Sequence, residues 1–472
     1  MIPLSLTRVA ELTGGVLHGA HAAELVIDGP VVTDSRECGP GGLYVARVGE
    51  HADGHAFVPD AASRGAVAAL TSRVVSGLPC VVVDDVQLAF GRLARGVIDA
   101  APDLAVIGIT GSSGKTTTKD LLASVLATAG ETVAPVNSLN GEVGVPLTVC
   151  RITAATRHLV VEMGARGIGH LRYLTQIAPP RIGIVLNVGS AHLGEFGSRE
   201  NIARAKAELP QALPPDGLAI LNADDPLVTA MAEGLAARVC LVGTSERAEV
   251  RAEDVVLDDS GRAAYTLVAP QGRASVRLAL VGPHHVANSL AVAAAALELG
   301  LPLDTVAAAL GAARPVSRWR MEVTHRPDGV TVVNDAYNAN PESMRAALDA
   351  LAAMETSGRR WAVVGEMLEL GDSSADEHAQ IGRYAAQLGI DRLVAVGDGA
   401  RSVGAPEWVR DTDAAYDLLR VELAPGDVVL FKSSRDSGLR WLGERVAGPP
   451  GPAGAAGSAV SPGAADAAEV SQ

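Results

Sequence analysis

One stretch, Ala105-Val-Ile-Gly-Ile-Thr-Gly-Ser-Ser-Gly-Lys-Thr-Thr-Thr-Lys119, sets the strongest limit on what this chain can fold into. The apolar run at 105–109 is too short for a helix and reads as a buried parallel strand. Beyond the glycine-rich turn, Leu122, Val125, Leu126 and Ala129 recur at helical spacing. Strand, glycine turn, Gly-Lys-Thr and helix make the layout of a phosphate-binding loop. Gly111 and Gly114 let the backbone approach an anion, and the amides of 111–117 (Gly111, Ser112, Ser113, Gly114, Lys115, Thr116, Thr117) face it at the helix start. Lys115 supplies charge for the terminal phosphates, and the Thr116 hydroxyl suits Mg2+. The loop is a variant, because the strict pattern has glycine where this chain has Ile109. A ligand-free strand–helix turn is the alternative, and the Gly-Lys-Thr context weighs against it.

A chain of 472 residues is long for one core, which predicts several domains. Apolar runs at 105–110, 158–163 and 181–188 alternate with helical patterns, as in a doubly wound parallel sheet. Short strands are expected at 31–36, 42–46 and 79–84, with a helix over 89–99 and a break at Ala101-Pro102-Asp103. Alternating stretches around Gly261 and Gly272 suggest antiparallel hairpins. From Ser317, strands at 330–335, 361–365, 392–396 and 427–431 alternate with helices, which predicts a second, Rossmann-like α/β unit. The expected division is 1–102, 103–315 and 316–447, with a Gly/Pro/Ala/Ser-rich tail over 448–472.

The net charge of -15 argues against a general nucleic-acid surface. Four scattered cysteines suit reduced thiols rather than a disulfide or zinc framework. No leader pattern or membrane-spanning run is evident, so a cytoplasmic protein without membrane insertion is expected. Lysine is scarce: Lys115, Lys119, Lys206 and Lys432 stand in a chain that otherwise uses Arg. A retained lysine can mark chemistry that a guanidinium cannot perform.

Glu162, in His158-Leu-Val-Val-Glu-Met-Gly164, ends an apolar strand on the edge where the phosphate loop sits, as an Mg2+–ATP site requires. His192, in Asn187-Val-Gly-Ser-Ala-His192, comes to the same edge; metal or phosphate contact and a structural role both stand open for it. Lys206, in Glu200-Asn-Ile-Ala-Arg-Ala-Lys-Ala-Glu-Leu209, reads by pattern alone as part of a solvated helix face.

Taken in order, Gly108-Ile-Thr-Gly-Ser-Ser-Gly-Lys-Thr116, Glu162-Met-Gly-Ala165, Asn187-Val-Gly-Ser-Ala-His192 and Lys206-Ala-Glu208 resemble the Mur ligase family of ATP-dependent amide ligases. The resemblance implies a three-domain α/β architecture: a UDP-sugar-binding first domain, a central P-loop parallel-sheet ATPase domain and a C-terminal Rossmann-like ligase domain. Ser317-Arg-Trp-Arg-Met-Glu322, Asn334-Asp-Ala-Tyr-Asn-Ala-Asn-Pro341 and Val364-Gly-Glu-Met-Leu-Glu-Leu-Gly371 resemble the members that join D-alanyl-D-alanine to UDP-N-acetylmuramoyl-tripeptide. It further implies that Lys115 and the loop amides bind ATP. By the same resemblance Thr116 and Glu162 would hold one Mg2+, and His192 would help place a second together with Lys206, the family's carbamylated lysine. Asn288 would contact adenine, and Arg320 and Asp335 would reach the nucleotide. Ser35 and Arg36 would face the uridine diphosphate, and Asn140 would contact substrate. A monomer is expected. The chain departs from the family at Asn140-Gly141, where Asn-Asn is usual, and at Gly42, where Asp is favoured; Lys432-Ser-Ser-Arg435 is close to the usual end motif. A folylpolyglutamate- or cyanophycin-type ligase and a non-ligating P-loop ATPase switch are the alternatives. The Tyr337-Asn-Ala-Asn340 motif opposes the first, and the UDP-sugar-like first unit is not needed by the second.

Overall fold

The strand preceding the phosphate loop lies inside a nine-stranded sheet. Its order is Gly272–Val281, Arg262–Ala269, Val250–Leu257, Arg238–Gly243, Leu218–Asn222, Ile182–Val185, Ala105–Thr110, Thr156–Glu162, Glu131–Val133. The computed structural model describes residues 1–49, 52–191 and 193–448. His192 and the tail beyond 448 therefore lie outside the described residues. Pairing is parallel from Val250–Leu257 through to Glu131–Val133, and the last two strands turn back as an antiparallel meander at Gly261 and Gly272. Register pairs Glu162 with Ile109 and Val185 with Thr110. Three strands thus end level, and the turns after them meet where the connections diverge to opposite sides of Ala105–Thr110. Such a switch point is where open α/β sheets bind ligands.

Each face of this sheet is covered for a different reason. On one side Leu121, Leu122 and Val125 of the helix Lys115–Leu126 pack with the helices His285–Glu298 and Leu303–Ala312. His285–Glu298 is buried nearly all round, and its run Ala293-Ala-Ala-Ala296 allows close approach of neighbouring backbones. A fully buried leucine such as Leu122 or Leu290 contributes roughly 2 kcal/mol or more. On the other side Leu171, Leu174 and Leu209 share one apolar interior with Leu6, Phe90 and Val97. The first unit is therefore welded to the central sheet through the helix Val86–Asp99.

The first unit carries a five-stranded sheet in the order Val16–His18, Cys80–Val82, Ala66–Thr71, Gly42–Val45, Val31–Val32. The strand expected over 31–36 stops at Val32, because the Asp34 carboxylate accepts the Arg36 amide and caps a 3-10 turn, Ser35–Glu37. Ala66–Thr71 has no alternation to reveal it, being almost wholly buried and rich in alanine. The third unit is a six-stranded sheet in the order Glu322–His325, Thr331–Asn334, Val428–Lys432, Arg360–Val364, Arg392–Val396, Glu407–Val409. All its pairs are parallel except the first. Both edge strands are short additions to the four that the apolar runs predict, and the helix Leu439–Ala447 closes the described chain. Among the described residues no helix is long and apolar enough to cross a membrane.

Candidate active site at the sheet switch point

A cavity of about 560 Å³ opens where the central and third sheets face each other, walled by the phosphate loop, Glu162, Lys206, Asn288, Arg320 and Asp335. Gly114 shows why the loop is built as it is. Its φ is +80°, and a Cβ there would lie 2.7 Å from the Asn288 amide oxygen. Only glycine both takes that turn and lets Asn288 lie against the loop. Ile109, the departure from the strict pattern, is fully buried in the strand, so the loop starts after it. The Asn187 side chain accepts from the amides of Ser112 and Ser113 at 3.0 and 2.9 Å and fixes the loop from the neighbouring strand end. The first amides of the helix Lys115–Leu126 remain for an anion. Lys115 donates to the Gly111 carbonyl at 2.9 Å, and burial lowers its pKa, with Glu162 acting in the opposite sense.

Glu162 is fully buried at the strand end. Its Oε2 accepts from the Thr116 hydroxyl at 3.0 Å; Oε1 accepts from Ser138 and Asn140 at 2.9 and 2.8 Å. A buried carboxylate surrounded by three neutral donors is organised for a cation. The donor set fits Mg2+, which prefers hydroxyl and carboxylate oxygens and completes its shell with substrate phosphates and water. Among the described residues no cluster of three His, Cys, Asp or Glu stands ready as a protein-only metal cage. Ser138 escaped the sequence reading, since a serine in an irregular segment carries no pattern.

Lys206 corrects the sequence reading of a solvated face. It is only 5% exposed, on the inner face of the helix Arg199–Gln211. Burial lowers its pKa well below the ordinary value, and the Lys115 charge adds to that. Among the described residues no carboxylate pairs with it. Glu208, two positions on, spends both oxygens on the Gly169 and Arg172 amides at the start of the helix His170–Ile177.

From the third unit, the Arg320 guanidinium lies over the Tyr337 ring at 4.2 Å and donates to the Thr116 hydroxyl at 3.3 Å. Asp335 is held from both sides. Its Oδ1 accepts the Met321 amide at 3.0 Å, and its Oδ2 pairs with Lys432 at 2.7 Å. Lys432 also donates to the Asn338 carbonyl at 2.9 Å, which gives the end motif a definite role in shaping the loop after Asn334. Trp319 and Met321, on either side of Arg320, both have positive φ (57° and 50°), a strained arrangement that the Asp335 contact helps hold.

Two cavity histidines were missed by sequence reasoning. The His284 and His285 rings lie 4.0 Å apart between centroids, tilted by 51°, and burial keeps both neutral, His284 with a pKa near 4. His285 Nδ1 and the Asn288 amide are 3.4 Å apart, and among the described residues His285 Nε2 has no partner. A pair of histidines opening the long apolar helix His285–Glu298 was the available signal.

The structure brings Lys115, Thr116, Thr117, Asn140, Glu162, Lys206, Asn288, Arg320 and Asp335 to one cavity. Ser35 and Arg36 do not line it. Arg36 is bound bidentately to Asp34. The first unit reaches the cavity instead through Arg47, Val48 and Gly49.

Comparison with known proteins accords with this geometry. Sequence profiles match for the Mur ligase middle domain at residues 109–296, the Mur ligase glutamate ligase domain at 319–435 and the Mur ligase family catalytic domain at 30–88. The chain is 48% identical to the UDP-N-acetylmuramoyl-tripeptide--D-alanyl-D-alanine ligase of Mycobacterium tuberculosis, covering 93% of this chain and 96% of that one. It is 35% identical to the enzyme of the same name from Escherichia coli, covering 93% and 97%. A crystal structure of MurF from Acinetobacter baumannii superposes with a TM-score of 0.86 at 33% identity, over 94% of this chain and 99% of that one. The MurF ligase of Thermotoga maritima in complex with ADP gives 0.79 at 29% identity, over 89% and 97%.

Proposed function

The chain belongs to the Mur ligase family, and from that premise we infer that it joins D-alanyl-D-alanine to UDP-N-acetylmuramoyl-tripeptide at the expense of ATP, in peptidoglycan precursor synthesis. One observation carries the reading: phosphate-binding, carboxylate and third-unit groups all face a single cavity. Residues 1–102 are assigned to the UDP-sugar, 103–315 to ATP and 316–447 to a C-terminal ligase domain, in a monomer acting in the cytoplasm.

The reaction sequence follows from charge. The γ-phosphoryl group of ATP passes to the terminal carboxylate of the tripeptide, giving an acyl phosphate and ADP. The amine of D-alanyl-D-alanine then attacks the carbonyl carbon; the tetrahedral adduct loses a proton and expels phosphate, leaving the amide. Carboxylate and γ-phosphate repel each other, so the first step needs positive groups around both. Lys115 and the helix amides neutralise the phosphates, and Arg320 extends the clamp from the third unit. Thr116 and Glu162 would hold Mg2+, with Lys206, once carbamylated, and His192 toward a second ion; bound there, the metal would screen the charge between carboxylate and phosphate. Asn288 and the neutral His284 and His285 offer hydrogen bonds to the base. Asn140 keeps the Glu162 carboxylate oriented and lines the cavity. Water would destroy the acyl phosphate, so the central and third units must enclose it.

Mass spectrometry of a mixture of the chain, UDP-N-acetylmuramoyl-tripeptide, D-alanyl-D-alanine and MgATP tests the reading. The expected product is the UDP-pentapeptide with ADP and phosphate. Nucleotide hydrolysis with no new amide would overturn it in favour of a non-ligating ATPase.

A further inference from the structure

Beside the cavity, side chains and backbone from three separate segments close a ring. The Glu342 carboxylate accepts the Ser190 amide at 2.8 Å and the Ser190 hydroxyl at 3.1 Å. The neighbouring Gly189 amide donates to the Ser112 hydroxyl at 2.8 Å. The Ser112 carbonyl in turn accepts from the Asn340 amide group at 3.3 Å, which returns the ring to the third unit. Asn340 is the capping residue of the helix Pro341–Ala353, so Asn340 and Glu342 are fixed together in one rigid first turn.

The ring is tightly built. Ser112, Ser190 and Asn340 are each buried, where charge-assisted bonds to a carboxylate are stronger than in water. A Cβ on Gly189 would lie 2.6 Å from the Glu342 carboxyl carbon, so a side chain there would push the carboxylate off Ser190. Glu342 therefore spends both oxygens on a neutral loop of the central sheet. That same loop leads from Asn187, which holds the phosphate-loop amides, toward residue 192.

We propose that Glu342 is a positioning residue for the ligation: by gripping Ser190 it transmits docking of the third unit, through Gly189 and Ser112, to the phosphate loop, and ties phosphoryl transfer to an enclosed site. Without the grip, ATP still meets the central sheet. The loop is then held less tightly during chemistry, and water enters before the dipeptide amine reacts.

The inference rests on the ligase reading, and amide formation by the parent chain tests that reading separately. The decisive quantity is phosphate released per amide formed, measured alongside kcat and KM for Glu342→Ala, Glu342→Gln and Gly189→Ala. Glu342→Ala should lose roughly 10- to 100-fold in kcat, with KM for ATP little changed, and its phosphate-to-amide ratio should rise above that of the parent. Glu342→Gln should stay near the parent, since its oxygen accepts the Ser190 amide and its nitrogen donates to the hydroxyl. Gly189→Ala should reproduce Glu342→Ala, because its methyl group occupies the space of the carboxylate only when the third unit is docked. It also decides the matter if Glu342→Ala does not fold. A ratio unchanged from the parent in the variants that fold, or a loss in Glu342→Gln equal to that in Glu342→Ala, overturns the proposal.

Discussion

The Lys432 ammonium lies 2.7 Å from the Asp335 carboxylate, and both are largely buried at the wall of the cavity. Burial lowers the lysine's pKa, and Asp335 acts in the opposite sense. Breaking such a pair from one side leaves a buried charge uncompensated and costs about 3 kcal/mol or more. Lys432→Met should therefore melt well below the parent and lose most ligation, because the Asn338 carbonyl also loses its donor. Adding Asp335→Asn should recover stability without recovering activity. Calorimetry and a ligation assay on both variants check this; a Lys432→Met protein as stable as the parent would contradict it.

Glu162→Gln separates charge from shape. The glutamine oxygen can accept from Ser138 and Asn140, while its nitrogen donates to the Thr116 hydroxyl, so the hydrogen bonds survive. Removing a buried anion should leave the melting temperature unchanged or raise it. Mg2+-dependent nucleotide binding and ligation should both fall, the latter on the order of 10²-fold or more. Isothermal titration with MgATP and with ATP in EDTA gives the test: equal losses in the two titrations would detach Glu162 from the metal.

Acid should weaken the protein through His284. Its pKa near 4 when folded lies below the ordinary 6.5, because burial disfavours the imidazolium. Between those values the unfolded chain binds a proton that the folded chain refuses, so this contribution is fully present above pH 6.5 and declines as pH falls toward 4. The urea midpoint of the parent should therefore drop relative to that of His284→Gln between pH 7.5 and 4.5. A difference between the two midpoints that does not move with pH rules the effect out.

The phosphate loop and the strand ending in Glu162 were legible because local pattern and tertiary role agree there. A short apolar run can only be a buried strand, and Gly-Lys-Thr can only serve at its end. The antiparallel meander after Val250 was legible from Gly261 and Gly272, which supply the positive φ of its turns. Less legible were residues whose role depends on a partner far away in sequence. Glu342 reads as an ordinary acid in the first turn of a helix until Ser190 is set against it. Arg36 looks positioned for a diphosphate, yet Asp34 two residues back engages its guanidinium. Lys206 sits in a polar helix whose inner face is set by packing on the central sheet, a fact that periodicity in so charged a segment does not reveal.

Lys206 carries the last prediction. Its amine is buried, its proton affinity is depressed by burial and by Lys115, and among the described residues no carboxylate forms an ion pair with it. A neutral buried amine is the form that attacks CO2, and the resulting carbamate changes the charge at that position from positive to negative. The cavity lined by Thr116 and Glu162 would then also hold an anionic oxygen donor, suited to a second Mg2+. Lys206→Ala should be nearly inactive and partly restored by acetate or formate, which return a carboxylate oxygen to the vacated space. Lys206→Arg should be inactive as well, since a guanidinium keeps the wrong sign and forms no carbamate. Removing dissolved CO2 should slow the parent and leave Lys206→Ala with formate unaffected. Ligation rates for the three proteins, with and without the short acids and bicarbonate, decide the matter, and an active Lys206→Arg enzyme would rule the carbamate out.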